Sequence, residues 1–180
     1  SRRGAHCTHP RMTPLLAVLS MMTMSASAGD CVYEAVPPEV RASIGKSILA
    51  RQPKEAGDLD LLVRVTDACV KRHHWSADGA VHANGSAAMR FAGEVLAAKF
   101  GHPAWSSSAL TAIRTRPLQQ IRNLSSTGAG DAEFELVLQR MVQTNPEIAA
   151  VLEGANDRAL EEFILMVKLM ALSEVERLSI

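Results

Sequence analysis

With 180 residues, 19 basic against 19 acidic side chains and 47% hydrophobic residues, the chain has enough apolar material for one genuine core and too much for a disordered segment. Balanced charge leaves no basic excess to neutralise phosphates, so nucleic acid is excluded as the expected partner. Aromatic residues make up only 4%, Ala, Leu and Val are abundant, and alternating β-branched runs are nearly absent. This composition predicts an all-α fold, a single compact bundle of about six or seven helices.

The first segment reads as an address. Residues 14–24 are an uncharged, mostly apolar run, preceded by Arg2, Arg3 and Arg11 and followed by Ala26-Ser27-Ala28. Basic flank, short apolar stretch and A-x-A site together describe a secretory signal peptide cleaved after Ala28. A membrane span needs about 20 apolar residues, and the polar stretch from Ser25 to Asp30 cuts this one short, so no stable span is expected in the mature chain. Met12 reads as the start, which places His6, Cys7 and His9 outside the working protein despite their resemblance to metal ligands. Asp30, directly before Cys31, argues against a lipid anchor. The predicted organisation is therefore residues 1–28 as leader and 29–180 as one helical domain, periplasmic or secreted. Loss of three basic residues with the leader leaves 16 against 19, a formal charge of −3. Cys31 and Cys69 remain, and an oxidising compartment predicts a disulfide between them. Such a bond would pin an extended N-terminal tail, residues 31–36, to a helix.

Pro37-Pro38 sets a helix start, Val40, Ile44 and Ile48 recur every four residues, and Gln52-Pro53 ends the element. A second helix, capped by Asp58 and running to His73, places Leu59, Leu62, Val63, Thr66, Cys69 and Val70 on one inward face. Residues 80–100 are rich in Ala and Gly and predict a central helix that neighbours approach closely, with a break at Asn84-Gly85-Ser86 and a stop at Gly101-His102-Pro103. Ser106, Ser107 and Ser108 read as caps for the next helix, which Pro117 interrupts. Residues 125–131 form the expected hinge. Beyond it, one helix turns Phe134, Val137, Leu138, Met141 and Val142 inward, and a short one starts at Asn145-Pro146-Glu147. The last helix, from Asn156, contains "FILMVKLMAL", residues 163–172. Apolar almost all round, it must be enclosed by other helices or by a partner subunit, and Ser173 with Glu176 predicts a break and restart.

Chemistry is sparsely signalled. His73, His74 and His82, with Asp78 nearby, form the one imidazole cluster that suits a metal in an exported protein. Adjacent histidines on a helix point about 100° apart, so a helix C-terminus that welcomes imidazoles beside its free carbonyls is the plainer reading. Trp75 and Trp105 stand at helix junctions, where tryptophan commonly plugs a core end. With Phe163, Met166 and Met170 they are also the candidate ligand or partner surface. No G-x-S-x-G, H-E-x-x-H or C-x-x-C-H motif occurs, and "STGAGD" lacks the lysine of a phosphate loop. The expectation is a non-enzymatic binding or interaction protein, meeting a protein partner or itself. The alternatives are a metal-binding protein using the histidines, with no other cofactor, and a small-molecule binder with an inter-helix cavity.

Overall fold

A computed structural model describes residues 27–126 and 131–180. Of the predicted leader, 1–28, residues 1–26 lie outside the described residues, as does the centre of the predicted hinge, 127–130; Ser27 and Ala28 are described, with Ala28 opening the first 3-10 turn and Ser27 donating to Asp30. Every regular element among the described residues is helical. A 3-10 turn, Ala28–Asp30, leads into α1 (Cys31–Ala35), followed by α2 (Pro38–Leu49), α3 (Ala56–His73), α4 (Ala77–Lys99), α5 (Ala104–Arg114), α6 (Leu118–Ser125), α7 (Asp131–Thr144), α8 (Glu147–Glu153) and α9 (Asp157–Arg177). The all-α class holds. Among the described residues the α-helices number nine, not six or seven, because the sequence stretch read as an extended tail is itself a helix, and because prolines split the middle of the chain into short pieces.

The spine is an antiparallel pair of the two longest helices, α4 and α9. Ser86 Oγ lies 3.2 Å from Ser173 Oγ, and Lys99 pairs with Glu162 at 3.1 Å, so residue numbers run in opposite directions along the seam. Small residues make the approach close: a side chain at Gly93 would collide with the end of Met170. The breaks predicted at Asn84-Gly85-Ser86 and at Ser173 do not occur. Both helices run through, since Asn84 accepts from Thr66 of α3, Gly85 packs against Glu176, and Ser86 and Ser173 satisfy each other across the seam. Polar residues that favour turns in isolation are here held by tertiary partners.

Two apolar clusters flank this spine. The N-terminal half of α4, through Ala83, Ala87 and Phe91, packs with Cys31, Val32, Val36, Ile44, Leu62 and Cys69. Its C-terminal half, through Ala92, Leu96 and Ala97, belongs to the larger cluster with α5, α6, Val137, Met141, Ile148 and the buried face of α9. The inward face of α3 is narrower than its periodicity implies. Leu62, Thr66 and Cys69 are buried, but Leu59 and Val63 are 46% and 51% exposed, because this peripheral helix touches the rest along a single line.

Serines 106–108 do not cap. Helix α5 begins at Ala104 after Pro103, and Ser106 and Ser107 donate back to the carbonyls of Pro103 and Ala104 within the first turn. Caps stand instead at Ser76, which accepts from Gly79 N–H, and at Asn156, which accepts from Ala159 N–H. Asp58 caps nothing, since α3 starts two residues earlier, after Glu55.

Candidate functional site

The two cysteines meet as the sequence predicts. Cys31 Sγ and Cys69 Sγ are 2.09 Å apart with Cα atoms at 6.0 Å, and both residues are buried in the smaller apolar cluster. The bond ties α1, not an extended tail, to α3.

The histidines go to three different places. His73 ends α3 with its ring stacked on Trp75, centroids 5.4 Å apart, and its buried Nε2 has no hydrogen-bond partner among the described residues. His74 terminates the helix in the left-handed conformation, φ 54° and ψ 39°. His82 lies inside α4 with Nδ1 2.7 Å from Glu176 Oε2 on α9. Among the described residues, no three His, Cys, Asp or Glu side chains are grouped so as to hold a metal ion.

Trp105, Phe163, Met166 and Met170 are all at most 1% exposed. They line the interior of the chain and form no outer surface. Trp105 stacks on His102 at 4.4 Å, stands edge-on to Phe163 at 5.9 Å, and donates its indole N–H to Glu147 at 3.3 Å. The ring clusters with Phe100 and closes one end of the larger core. Trp75 is half-buried beside the smaller cluster. The apolar run of α9 is largely enclosed by α4, α5 and α6; Ile164 and Leu165 alone among its large apolar residues are strongly exposed, at 38% and 42%.

A partly buried charge ladder was not legible as such in the sequence; its central Arg114 is 35% exposed. Arg90 of α4 pairs with Asp30 at 2.6 Å; Asp30 takes Arg114 Nη2 of α5 at 2.9 Å; Arg114 Nε donates to Glu174 of α9 at 3.0 Å; and Glu174 accepts from Arg177 at 2.8 Å. Glu174 is 2% exposed. Burial opposes ionisation of Asp30, but the Ser27 hydroxyl, Arg114 and Arg90 outweigh it and hold the carboxyl below its ordinary range. Arg90 also lies 3.3 Å over the ring of Tyr33, with Arg41 at 4.2 Å from the same ring, while the Tyr33 hydroxyl donates to Glu94. Burial, and then Glu94, push the Tyr33 hydroxyl above its ordinary value. The only local signals were single charges inside otherwise apolar or small-residue stretches: Arg90 between Met89 and Phe91, and Glu174 just after the apolar run.

Among the described residues, two of the surface hollows are the larger. One runs along α7 beside Leu136, which is 42% exposed, with a volume of about 740 Å³. The other, of about 480 Å³, lies between α2 and α4. No helix among the described residues is long and apolar enough to cross a membrane. Comparison with protein-family models, with curated proteins and with solved structures finds no match.

Proposed function

We propose that this chain is an exported, non-enzymatic interaction protein that associates with a second copy of itself through the outer face of α7. The observation that carries this reading is an apolar side chain left to solvent on that face, Leu136, 42% exposed. Around Gln139, Leu136 and Val142 lie three positions to either side and Glu135 and Gln143 four; Ala132 and Leu138 have no such counterparts, and Val142 packs in part against the larger core. Two α7 helices laid antiparallel about Gln139 would seat each Leu136 on the other copy's Val142 and leave neutral amides at the centre. A two-fold interface requires this kind of pairing, in which residue i meets j and j meets i. Export is supported by the leader pattern in the sequence and by the Cys31–Cys69 pair, a bond at home in an oxidising compartment.

Light-scattering mass across a concentration series tests the reading. The oxidised chain is expected to rise towards twice its single-chain mass, and Leu136→Glu to remain at single-chain mass with an unchanged helical spectrum. A wild-type chain that stays monomeric at every concentration, or a dimer indifferent to Leu136→Glu, overturns it.

A further inference from the structure

The groove between α2 and α4 sits elsewhere on the molecule and owes nothing to α7. Its wall on α2 is set by Pro38, Ala42 and Lys46, spaced four residues apart on one helical face, and it continues to Ala50 through an adjoining hollow of about 250 Å³. At 1.5 Å rise per residue, Pro38 to Ala50 spans roughly 18 Å. The shape is therefore long and narrow, and its size falls in the range of small-molecule sites, about 300–1,000 Å³.

Its floor is apolar, built from Ala42, Val95, Ala98 and Leu49. Lys46 and Lys99, from opposite walls, stand where the two hollows meet, since both line each of them. Lys99 shares its ammonium with Glu162 at 3.1 Å. The Lys46 ammonium has no ion-pair or hydrogen-bond partner among the described residues. The one carboxylate in the lining, Glu94, accepts from the Tyr33 hydroxyl, whose ring carries Arg90 and Arg41 on it. The groove thus offers a free cation beside a second one, an apolar track leading away from them, and an acid already engaged at the far wall.

We propose that this groove binds a single-chain carboxylate amphiphile. The headgroup lies between Lys46 and Lys99, where a charge-assisted hydrogen bond is strongest, and the alkyl tail lies along Ala42, Val95 and Ala98 towards Pro38. A sugar or nucleotide would find no polar group in the floor to orient it, and a cationic amphiphile would meet two ammonium groups.

The test titrates the full oxidised chain with dodecanoate below its micelle-forming concentration, by calorimetry, with dodecyltrimethylammonium and acetate as controls. Saturable binding of one dodecanoate per chain is expected, with neither control binding. Lys46→Glu, at an exposed position, should weaken it roughly tenfold or more, the loss of one charge-assisted contact. Ala98→Trp, also exposed, should abolish it by filling the track while the melting temperature holds. Uptake that never saturates, or that ignores both substitutions, is detergent-like adsorption and overturns the proposal. Recruitment to phosphatidylglycerol vesicles without binding of free dodecanoate would point to a membrane surface and overturn it equally.

Discussion

Asp30 is the residue on which the N-terminal segment turns. It joins the 3-10 turn to α4 through Arg90 and to α5 through Arg114, and Arg114 passes the connection to Glu174 and α9. Buried ion pairs add little net stability compared with an apolar replacement, but losing one partner strands a buried charge; here solvent at Arg114, 35% exposed, screens part of that cost. The ladder therefore specifies where the segment docks more than it strengthens the docking. Because the Asp30 carboxyl titrates below its ordinary 3.8 in the folded chain, its contribution is present above that value and is lost as pH falls through the lower, folded one. Thermal melts of a chain that keeps Ser27, from pH 7 down to the acid limit, should show stability falling in that window. Asp30→Asn should melt lower at pH 7 and lose less on acidification; an acid limb equally steep in the variant would remove Asp30 from this role. The lone charges Arg90 and Glu174 were visible in the sequence, and Arg177 stands three residues from Glu174, but Asp30 and Arg114, which join the ladder across helices, sit 60 positions from Arg90 and Glu174, and no local pattern records a pairing at that distance.

Among the elements, α4 shows how glycine sets the spacing of helices. A side chain at Gly45 of α2 would run into the backbone carbonyl of Phe91 and stand 2.9 Å from Val95 Cγ2, whereas one at Gly93 would meet only the flexible end of Met170. Gly45→Ala forces two helix axes apart, at roughly 1–3 kcal/mol of overpacking, against about 1 kcal/mol gained from helix propensity. Gly93→Ala asks only that Met170 change rotamer. Denaturant midpoints should place Gly45→Ala clearly below wild type and Gly93→Ala near it. Equal losses would mean that the α2 contact yields as readily as a methionine side chain. The sequence predicted a small-residue helix with close neighbours, and α4 fits that description. Which glycine faces an unyielding backbone depends on the crossing geometry, which one helix's own periodicity does not contain.

At the scale of the whole molecule, the disulfide fastens the smaller apolar cluster. Cys31 and Cys69 close a 38-residue separation around α2, and constraining the unfolded chain to that loop is worth roughly 3–4 kcal/mol in the chain-entropy model. Cys31→Ser with Cys69→Ser should lower the melting temperature by several degrees while α9 keeps its protection from hydrogen exchange, because the larger cluster holds neither cysteine. Loss of protection throughout α9 would show that the two clusters unfold as one.

Composition and local pattern by themselves determined the all-helical class, the terminators at Gly101 and Pro117, the enclosure of most of "FILMVKLMAL" and the pairing of two cysteines; α2 stops at Leu49, before the expected Gln52-Pro53, with Arg51 left-handed. The first three follow from short-range physics: helix periodicity, fixed proline geometry and the need to hide an apolar surface; the pairing of Cys31 with Cys69 rests on reading Cys7 as part of a leader. Tertiary structure alone decided that Trp105, Phe163, Met166 and Met170 face inward, that α3 leaves Leu59 and Val63 to solvent, and that Asn84 and Ser173 remain helical. It also decided that Asp30, Arg90, Arg114, Glu174 and Arg177 form one ladder. Those outcomes depend on which faces meet and at what distance, and a helix's own sequence specifies that it has a buried face without saying what will cover it.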